Sequence, residues 1–261
     1  DALVGKKWLM RSLGCIPTKK FLSDLSLIHD IKHMLSRGVN VLMYPEAGYS
    51  FDGKATVLPE RFARLMKILG VPVVYIESHG AFSRDPLYNC LQKRKVQVRA
   101  DVKYLLSVED IRTKSVAELD AILDQAFGFD NFTWQKENNV IINEPFRADG
   151  LNRILYRCPH CGKEGKTEGK GTKLTCHNCG KVYELTELGG LQALDGQTAF
   201  THIPNWYAWE RGQVRNELEN GTYRLETKVD IGMMVDYKAI YMVGSGTLIH
   251  DENGFRLTGC D

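Results

Sequence analysis

One stretch near the start of the chain changes abruptly from apolar to loop-forming residues: Val41-Leu42-Met43-Tyr44-Pro45-Glu46-Ala47-Gly48-Tyr49-Ser50-Phe51-Asp52-Gly53. The apolar run over residues 39–44 predicts a buried strand, and the proline and glycines after it predict a loop at the carboxyl end of that strand. Ligands of open α/β sheets gather at the carboxyl ends of the strands. Glu46 therefore stands where a functional carboxylate is expected.

A helix and further strands are predicted after this loop. Pro59 is placed to open the helix and Gly70 to close it. The apolar residues 71–76 predict another buried strand, and strand, helix and strand together predict a βαβ unit with parallel strands. Alternation over residues 95–106 predicts a further strand, and a capping-box pattern at residues 115–118 predicts another helix.

The segment before the central stretch is basic. Residues 1–40 carry seven Lys or Arg against three Asp, and residues 4–15 read as a short helix with a basic and an apolar face. Such a segment suits an anionic membrane surface or an anionic substrate. An ordinary amphipathic helix packed on the core, with a solvated basic face, is the alternative. A second helix is predicted over residues 25–35, with Ser23 as its cap and Gly38 at its end.

The overall composition is that of a soluble globular protein. The 261 residues are 43% apolar and 25% charged, and the formal net charge of +2 makes no case for nucleic acid. The sequence contains no signal peptide and no apolar run of about 18 residues. The chain begins without Met and stops after a strand-like stretch, so we expect that it was cut from a longer protein.

Two CxxC pairs give the strongest chemical signal. Their cysteines, with fourteen residues between the pairs, are Cys158, Cys161, Cys176 and Cys179. Gly162 and Gly180 follow the second cysteine of each pair and give each turn its backbone freedom. Four thiolates favour a tetrahedral structural Zn²⁺, and the spacing resembles a zinc ribbon. An iron centre of rubredoxin type or two redox CxxC motifs are the competing interpretations.

The remaining segments complete the predicted organisation. Residues 129–157 read as a mostly helical extension and residues 189–201 as a loop. A helix is predicted around Trp206 and Trp209, and strands with a hairpin turn at residues 251–254 follow it. The predicted divisions are an α/β domain over 1–137, a linker or helical extension over 138–157, a zinc ribbon over 158–188, and a small α+β or β-rich module over 189–261.

Three short blocks occur in an order that resembles the glycerolipid acyltransferase family (lysophosphatidic acid acyltransferase-like) over residues 3–105. Gly14 and Ile16 match the family's second block, and Lys20 stands where that block has Arg. The third block, usually Phe-Pro-Glu-Gly-Thr-Arg-Ser, is matched by Pro45, Glu46 and Ser50, whereas Ala47, Gly48 and Tyr49 replace Gly, Thr and Arg. Val71 and Pro72 match the fourth block.

The resemblance implies a fold and an activity. The fold would be α/β, an acyltransferase-like mixed sheet flanked by helices, followed by the ribbon and the β-rich module. The activity would be transfer of an acyl group from acyl-CoA or acyl-carrier protein to a lyso-phospholipid or related hydroxyl acceptor at a membrane surface. The acceptor site would be lined by Lys20, Glu46, Gly48, Tyr49, Ser50 and Pro72. The protein would work at the cytoplasmic face of a membrane, either peripheral or anchored.

Two departures from the family pattern bear on this activity. The family's base lies in a His-x-x-x-x-Asp block, and none of the seven histidines fits that spacing, so the chain as given is expected to be inactive and to contain no catalytic residue of its own. The arginines that grip an acceptor's phosphate are replaced by Lys20 and Tyr49, which leaves a different lyso-lipid or alcohol as an equal candidate. The alternative function is a non-enzymatic zinc-ribbon protein that binds nucleic acid or protein, with a degenerate lipid-binding α/β domain.

Overall fold

The computed structural model describes residues 7–16, 25–46, 48–234 and 239–259, which form a mixed α/β structure with several sheets. In chain order the elements are α1 (Lys7–Ser12), α2 (Leu25–Ser36), α3 (Phe62–Leu69), β1 (Val73–His79), α4 (Ala81–Arg84), β2 (Arg99–Leu106), α5 (Val108–Thr113), α6 (Val116–Phe127), α7 (Asn131–Glu137), β3 (Thr167–Lys170), β4 (Lys173–Cys176), β5 (Val182–Leu185), β6 (Leu191–Ala193), α8 (Ile203–Glu219), β7 (Arg224–Met234), β8 (Ile240–Asp251) and β9 (Gly254–Gly259). The chain divides into two compact units, Tyr44–Gly212 and the two flanking segments Asp1–Met43 and Gln213–Asp261.

The predicted strand over residues 39–44 is wrong. These residues have no regular secondary structure, and Leu42 and Tyr44 are 65% and 80% exposed. A strand needs a hydrogen-bonded neighbour for its backbone and a covering layer for its apolar face. No described residue supplies a β-ladder to this run, which explains why an apolar sequence does not form a strand here.

The predicted βαβ unit is also wrong, because its first strand, over residues 39–44, does not form. The strand that follows α3 does form, but β1 pairs with β2 and the pairing is antiparallel, with Ile76 opposite Val102 and Glu77 opposite Asp101. The connection between β1 and β2 contains only α4 and a 3₁₀ turn at Leu87–Asn89, and an antiparallel return needs no longer crossover.

Local signals around these strands are confirmed. Gly70 ends α3 in the left-handed conformation (φ 63°), and its N–H donates to the Met66 carbonyl. Ser115 and Glu118 form the predicted capping box at the start of α6, with the Ser115 Oγ accepting from the Glu118 N–H. The helix end and the capping box each depend on residues within four positions of one another, so they can be recognised in the sequence.

Residues 138–157 were predicted to be a linker or a helical extension, but they contribute to the main core. Their only helical piece is a 3₁₀ turn at Leu151–Arg153. The sheet β3–β4–β5–β6 is antiparallel throughout, and β6 extends it into the region predicted as a loop. The core formed with this sheet consists of Tyr88, Phe132, Ala148, Leu151, Ile154, Leu155, Leu174, Tyr183, Leu185, Leu191, Ala193, Ile203 and Trp206.

The other unit contains the predicted C-terminal strands. Strands β7, β8 and β9 form an antiparallel three-stranded sheet, and Asp251 pairs with Gly254 across the predicted hairpin turn. The helix predicted around Trp206 and Trp209 is α8. Among the residues discussed above, Lys20, Ser23 and Ala47 lie outside the described residues.

Candidate metal centre and the central loop

The four cysteine sulfurs of the two CxxC pairs converge on one point. All four Sγ atoms lie within 4.8 Å of one another. The Cys158–Cys179 and Cys161–Cys176 sulfur pairs are each 3.8 Å apart. A tetrahedral ion roughly 2.3 Å from each sulfur would hold the sulfurs roughly 3.8 Å apart. The arrangement can therefore hold one metal ion with four cysteine ligands.

The two turns that carry these cysteines have the same backbone hydrogen bonds. In the first turn Cys158 N–H donates to the Lys163 carbonyl, and Gly162 N–H donates to the Cys158 carbonyl at 2.8 Å. In the second turn Cys176 and Gly180 repeat both bonds. The two glycines adopt left-handed φ values of 69° and 76°, as the sequence predicts. The two turns therefore share one backbone conformation, and each turn presents two sulfurs.

The surroundings of the thiols differ between the four positions. Burial raises the pKa of Cys158 to about 12 and also raises the pKa of Cys179. The Lys163 backbone N–H lowers the pKa of Cys161 to about 7, because it hydrogen-bonds to the thiolate. Because a metal binds thiolates, metal binding at this site releases the thiol protons that burial retains.

The two histidines inside the CxxC turns are not needed as ligands. His177 Nε2 lies 2.8 Å from a carboxylate oxygen of Glu168 on β3, in an exposed pair. His160 is exposed and is not part of the cluster of sulfurs. The cysteines alone account for a complete tetrahedral ligand set.

The Glu46 carboxylate is fixed by a residue that the sequence did not single out. Its Oε2 accepts hydrogen bonds from both the backbone N–H and the hydroxyl of Thr56, each at 2.8 Å. The pKa of Tyr75 on β1 is raised to about 12, first by burial and then by the carboxylates of Glu77 and Glu46. Glu46 therefore closes the loop over residues 46–56, which we call the central loop.

The far end of the central loop is anchored to the start of α7. Gly53 carbonyl accepts from both the backbone N–H and the side-chain amide of Asn131, and Ala55 N–H donates to the Phe129 carbonyl. Gly53 has a left-handed φ of 83°, and a Cβ there would lie 2.8 Å from the Phe82 ring. Only glycine fits this position, so the loop is held in one shape at both ends.

Of the other described residues predicted for the acceptor site, Gly48, Tyr49 and Ser50 lie in the central loop, and none of them is buried. Tyr49 is 77% exposed, Gly48 is exposed, and the Ser50 hydroxyl donates to the Lys54 carbonyl at 2.7 Å. Pro72 is exposed directly before β1. The structure places Glu46 against Thr56 and leaves Tyr49 accessible to a ligand.

A buried polar cluster joins the segment after β1 to residues 146–149, and no sequence pattern predicts it. The Arg94 guanidinium donates through Nη2 to the Tyr88 hydroxyl at 2.7 Å and to the Arg147 carbonyl at 2.8 Å. The Tyr88 hydroxyl donates to the same carbonyl, and Asn89 donates to the carbonyls of Phe146 and Asp149. Buried polar groups are costly unless paired, so these bonds fix the two segments together.

No protein-family model, curated protein or solved structure matches this chain. Among the described residues, no helix has both the length and the apolar character that crossing a membrane requires. The metal-binding arrangement and the central loop are therefore interpreted from their own geometry and chemistry.

Proposed function

We propose that the four cysteines bind one structural Zn²⁺. The observation that carries this proposal is the convergence of four sulfurs within 4.8 Å on two matched turns. Two separate redox pairs would not need the four sulfurs in one cluster. All four ligands come from the protein, so the ion would have no open position for a substrate and would hold the ribbon together.

Metal analysis of the purified chain tests this proposal. We expect one zinc per chain, and we expect Cys176→Ser to lose the metal and to unfold at lower temperature. Cys90→Ser is the matched control, because Cys90 is exposed and lies outside the cluster. A chain that is fully folded without metal, or one that is isolated with iron and the colour of an iron–thiolate centre, would overturn the zinc assignment.

We further propose that the chain is part of an acyltransferase that acts on a lipid hydroxyl, with acyl-CoA or acyl-carrier protein as donor. The support is the ordered occurrence of three glycerolipid acyltransferase-like blocks, at residues 14–20, 44–50 and 71–74. Glu46 would shape and charge the acceptor site, because Thr56 already occupies one of its carboxylate oxygens. The base would be supplied by a His-x-x-x-x-Asp motif outside the given chain.

The exposed apolar residues of the first helix support action at a membrane surface. Trp8 on α1 and Leu13 directly after it are 71% and 68% exposed, although both are large and apolar. A short helix with such a face binds the boundary between lipid headgroups and acyl chains. The cytoplasmic face of a membrane is the proposed place of action, since four reduced cysteines are needed at the metal site.

The test is release of free CoA from acyl-CoA on addition of a lyso-lipid, by protein that includes whatever its gene encodes ahead of Asp1. We expect release to depend on both the lyso-lipid and the His-x-x-x-x-Asp histidine. If the motif is present and no lyso-lipid causes release, the proposal fails. If the gene lacks the motif, the non-enzymatic alternative replaces it, and a salt-dependent shift on RNA or DNA then tests nucleic-acid binding.

Tyr49 offers a direct test of acceptor choice. Tyr49→Arg would restore the fork of N–H donors that the family uses for phosphate, at a position that is already exposed. In the active longer protein we expect a higher kcat/KM for a phosphate-bearing acceptor and little change for an uncharged one. Tyr49→Phe is the control, and equal kinetics for both variants would show that Tyr49 does not contact the acceptor.

A further inference from the structure

A polar cleft of about 450 Å³ lies between the β1–β2 sheet and the segment from α6 to α7. The sheet turns its charged face toward this cleft, with Glu77 opposite Asp101 and His79 opposite Arg99. Its other face carries apolar residues such as Ile76, which is 51% exposed. A small sheet normally buries its apolar face, so the inward polar face needs an explanation of its own.

His79 is the most enclosed titratable group in this cleft. It is only 6% exposed, and its Nε2 lies 2.9 Å from the Asp101 Oδ2. A carboxylate only accepts, so Nε2 carries a proton, and Nδ1 is an acceptor in the tautomer of the ring that has one proton. Nδ1 is buried and makes no hydrogen bond to any described residue. The ring is therefore oriented by Asp101 and offers an unused acceptor.

Trp134 provides the complementary group. Its ring stacks on His79 with centroids 5.5 Å apart and an interplanar angle of 22°. Its indole Nε1–H is also buried and has no acceptor within the described part of the chain. A buried indole N–H normally has a partner. His79 Nδ1 thus lacks a donor, and Trp134 Nε1–H lacks an acceptor. A single ligand hydroxyl can supply both, because a hydroxyl both donates and accepts.

The charges around the cleft select against an anion. The lining includes the carboxylates of Glu77, Asp101, Asp130 and Glu137, but only two cations, those of Arg99 and Lys103. Lys103 pairs with Glu77, and the Arg99 guanidinium lies over the Trp134 ring at 5.8 Å. A phosphate would therefore enter an environment with an excess of negative charge, whereas an uncharged hydroxyl compound would not.

We propose that this cleft binds an uncharged polyol, with one ligand hydroxyl accepting from Trp134 Nε1–H and donating to His79 Nδ1. The Asp101 side chain is 55% exposed at the rim, so its second carboxylate oxygen can accept from a neighbouring hydroxyl. Both nitrogens are buried in the ligand-free protein, so binding requires the partly exposed Trp134 ring to rotate. Binding then gives both buried nitrogens a partner.

The cleft adjoins the central loop. Lys54 forms a β-bridge with Asp130, and Ala55 N–H donates to the Phe129 carbonyl, so the loop is attached to one wall of the cleft. The idea that the cleft holds the polar part of a lipid acceptor rests on the proposed acyl transfer. The proposal that it binds a polyol does not, because binding can be measured without an acyl donor.

The indole N–H resonances of the ¹⁵N-labelled chain test the proposal. Trp134 is one of four tryptophans and is assigned with Trp134→Phe. On titration with glycerol we expect a saturable shift of the Trp134 resonance and no shift of the other three. Glycerol 3-phosphate is the anionic match, and we expect it to bind more weakly. His79→Phe keeps a stacked ring without nitrogens and should weaken glycerol binding about tenfold.

Two further variants keep the test decisive. Asp101→Asn alters the group that orients His79 at a half-exposed position, so it should fold normally and weaken glycerol binding. His29→Phe, at an exposed site on α2, should leave binding unchanged. No saturable shift of Trp134, unchanged affinity in both His79→Phe and Asp101→Asn, or tighter binding of glycerol 3-phosphate than of glycerol would each overturn the proposal.

Discussion

Glu210 is a completely buried carboxyl group on α8. Its Oε1 accepts from the Arg157 N–H at 2.8 Å and from Trp206 Nε1 at 3.0 Å, whereas Oε2 has no partner among the described residues. Burial raises the pKa of Glu210 from 4.5 to about 8. This environment suits a neutral carboxylic acid, whose carbonyl oxygen accepts both hydrogen bonds.

The raised pKa makes stability depend on pH. Between pH 4.5 and 8 the folded protein keeps a proton that the unfolded chain has released, so the free energy of unfolding falls as pH rises through this window. Glu210→Gln removes this dependence. Relative to the variant, the wild type should lose on the order of 3 kcal/mol between pH 5 and pH 9, measured by urea unfolding. Glu219→Gln, exposed on the same helix, is the control, and parallel pH profiles for wild type and Glu210→Gln would refute the assignment.

Thr56 can be tested separately for its hold on Glu46. Thr56→Val keeps the side-chain shape but removes the hydroxyl that donates to Oε2, so we expect a loss of about 1 kcal/mol in the free energy of unfolding. Thr56→Ser keeps the hydroxyl and should retain most of the stability. Equal losses for both variants would mean that the hydrogen bond from the Thr56 hydroxyl is not what sets the loss in Thr56→Val.

At the scale of elements, the two CxxC turns should respond alike to substitution of their glycines. Gly162 and Gly180 both have left-handed φ, and a Cβ at either would meet nothing within 4 Å. Alanine at either position therefore costs only backbone strain, about 1 kcal/mol. Asparagine tolerates this conformation better, so Gly180→Asn should recover part of the stability lost in Gly180→Ala. Thermal unfolding of the metal-loaded chain measures both, and a loss much above 3 kcal/mol would indicate a contact that the structure does not contain.

The sequence predicted elements well where their determinants are local. The capping box at Ser115, the helix end at Gly70 and the cysteine turns each depend on residues within a few positions, and all form as predicted. The strand over residues 39–44 depends on partners far away in the chain, and an apolar run does not reveal whether such partners exist. The same limit hid Thr56 beside Glu46, because no sequence pattern links these two residues.

The polar cleft illustrates this limit at the level of a site. His79 is the last residue of β1, and no local sequence pattern links it to a partner. Its partner Asp101 lies 22 residues away, and the two meet through the register of the antiparallel β1–β2 pair. The predicted partner of the strand over residues 71–76 is the run over residues 39–44, so the sequence does not bring His79 and Asp101 together.

At the scale of the whole Tyr44–Gly212 unit, removal of the proposed metal ion should affect distant parts together. Tyr88 and Phe132 share one core with ribbon residues such as Leu174. On addition of a strong chelator, amide hydrogen exchange should therefore speed up at Asn131 as well as at Cys176. Amides of β8 in the other unit serve as the internal reference. Fast exchange in the ribbon with an unchanged rate at Asn131 would show that the ribbon opens independently of the central loop's anchor.

The core shared by Tyr88, Leu174 and Trp206 has a consequence for the life of the protein in a cell. Because Leu174 lies between the two cysteine turns in the chain, we expect a chain without the proposed ion to expose Tyr88 and Trp206 together. Such exposed segments are the preferred substrates of intracellular proteases. On the proposed zinc binding, the supply of metal during synthesis sets how many copies survive, and the protein's abundance becomes a readout of cellular zinc.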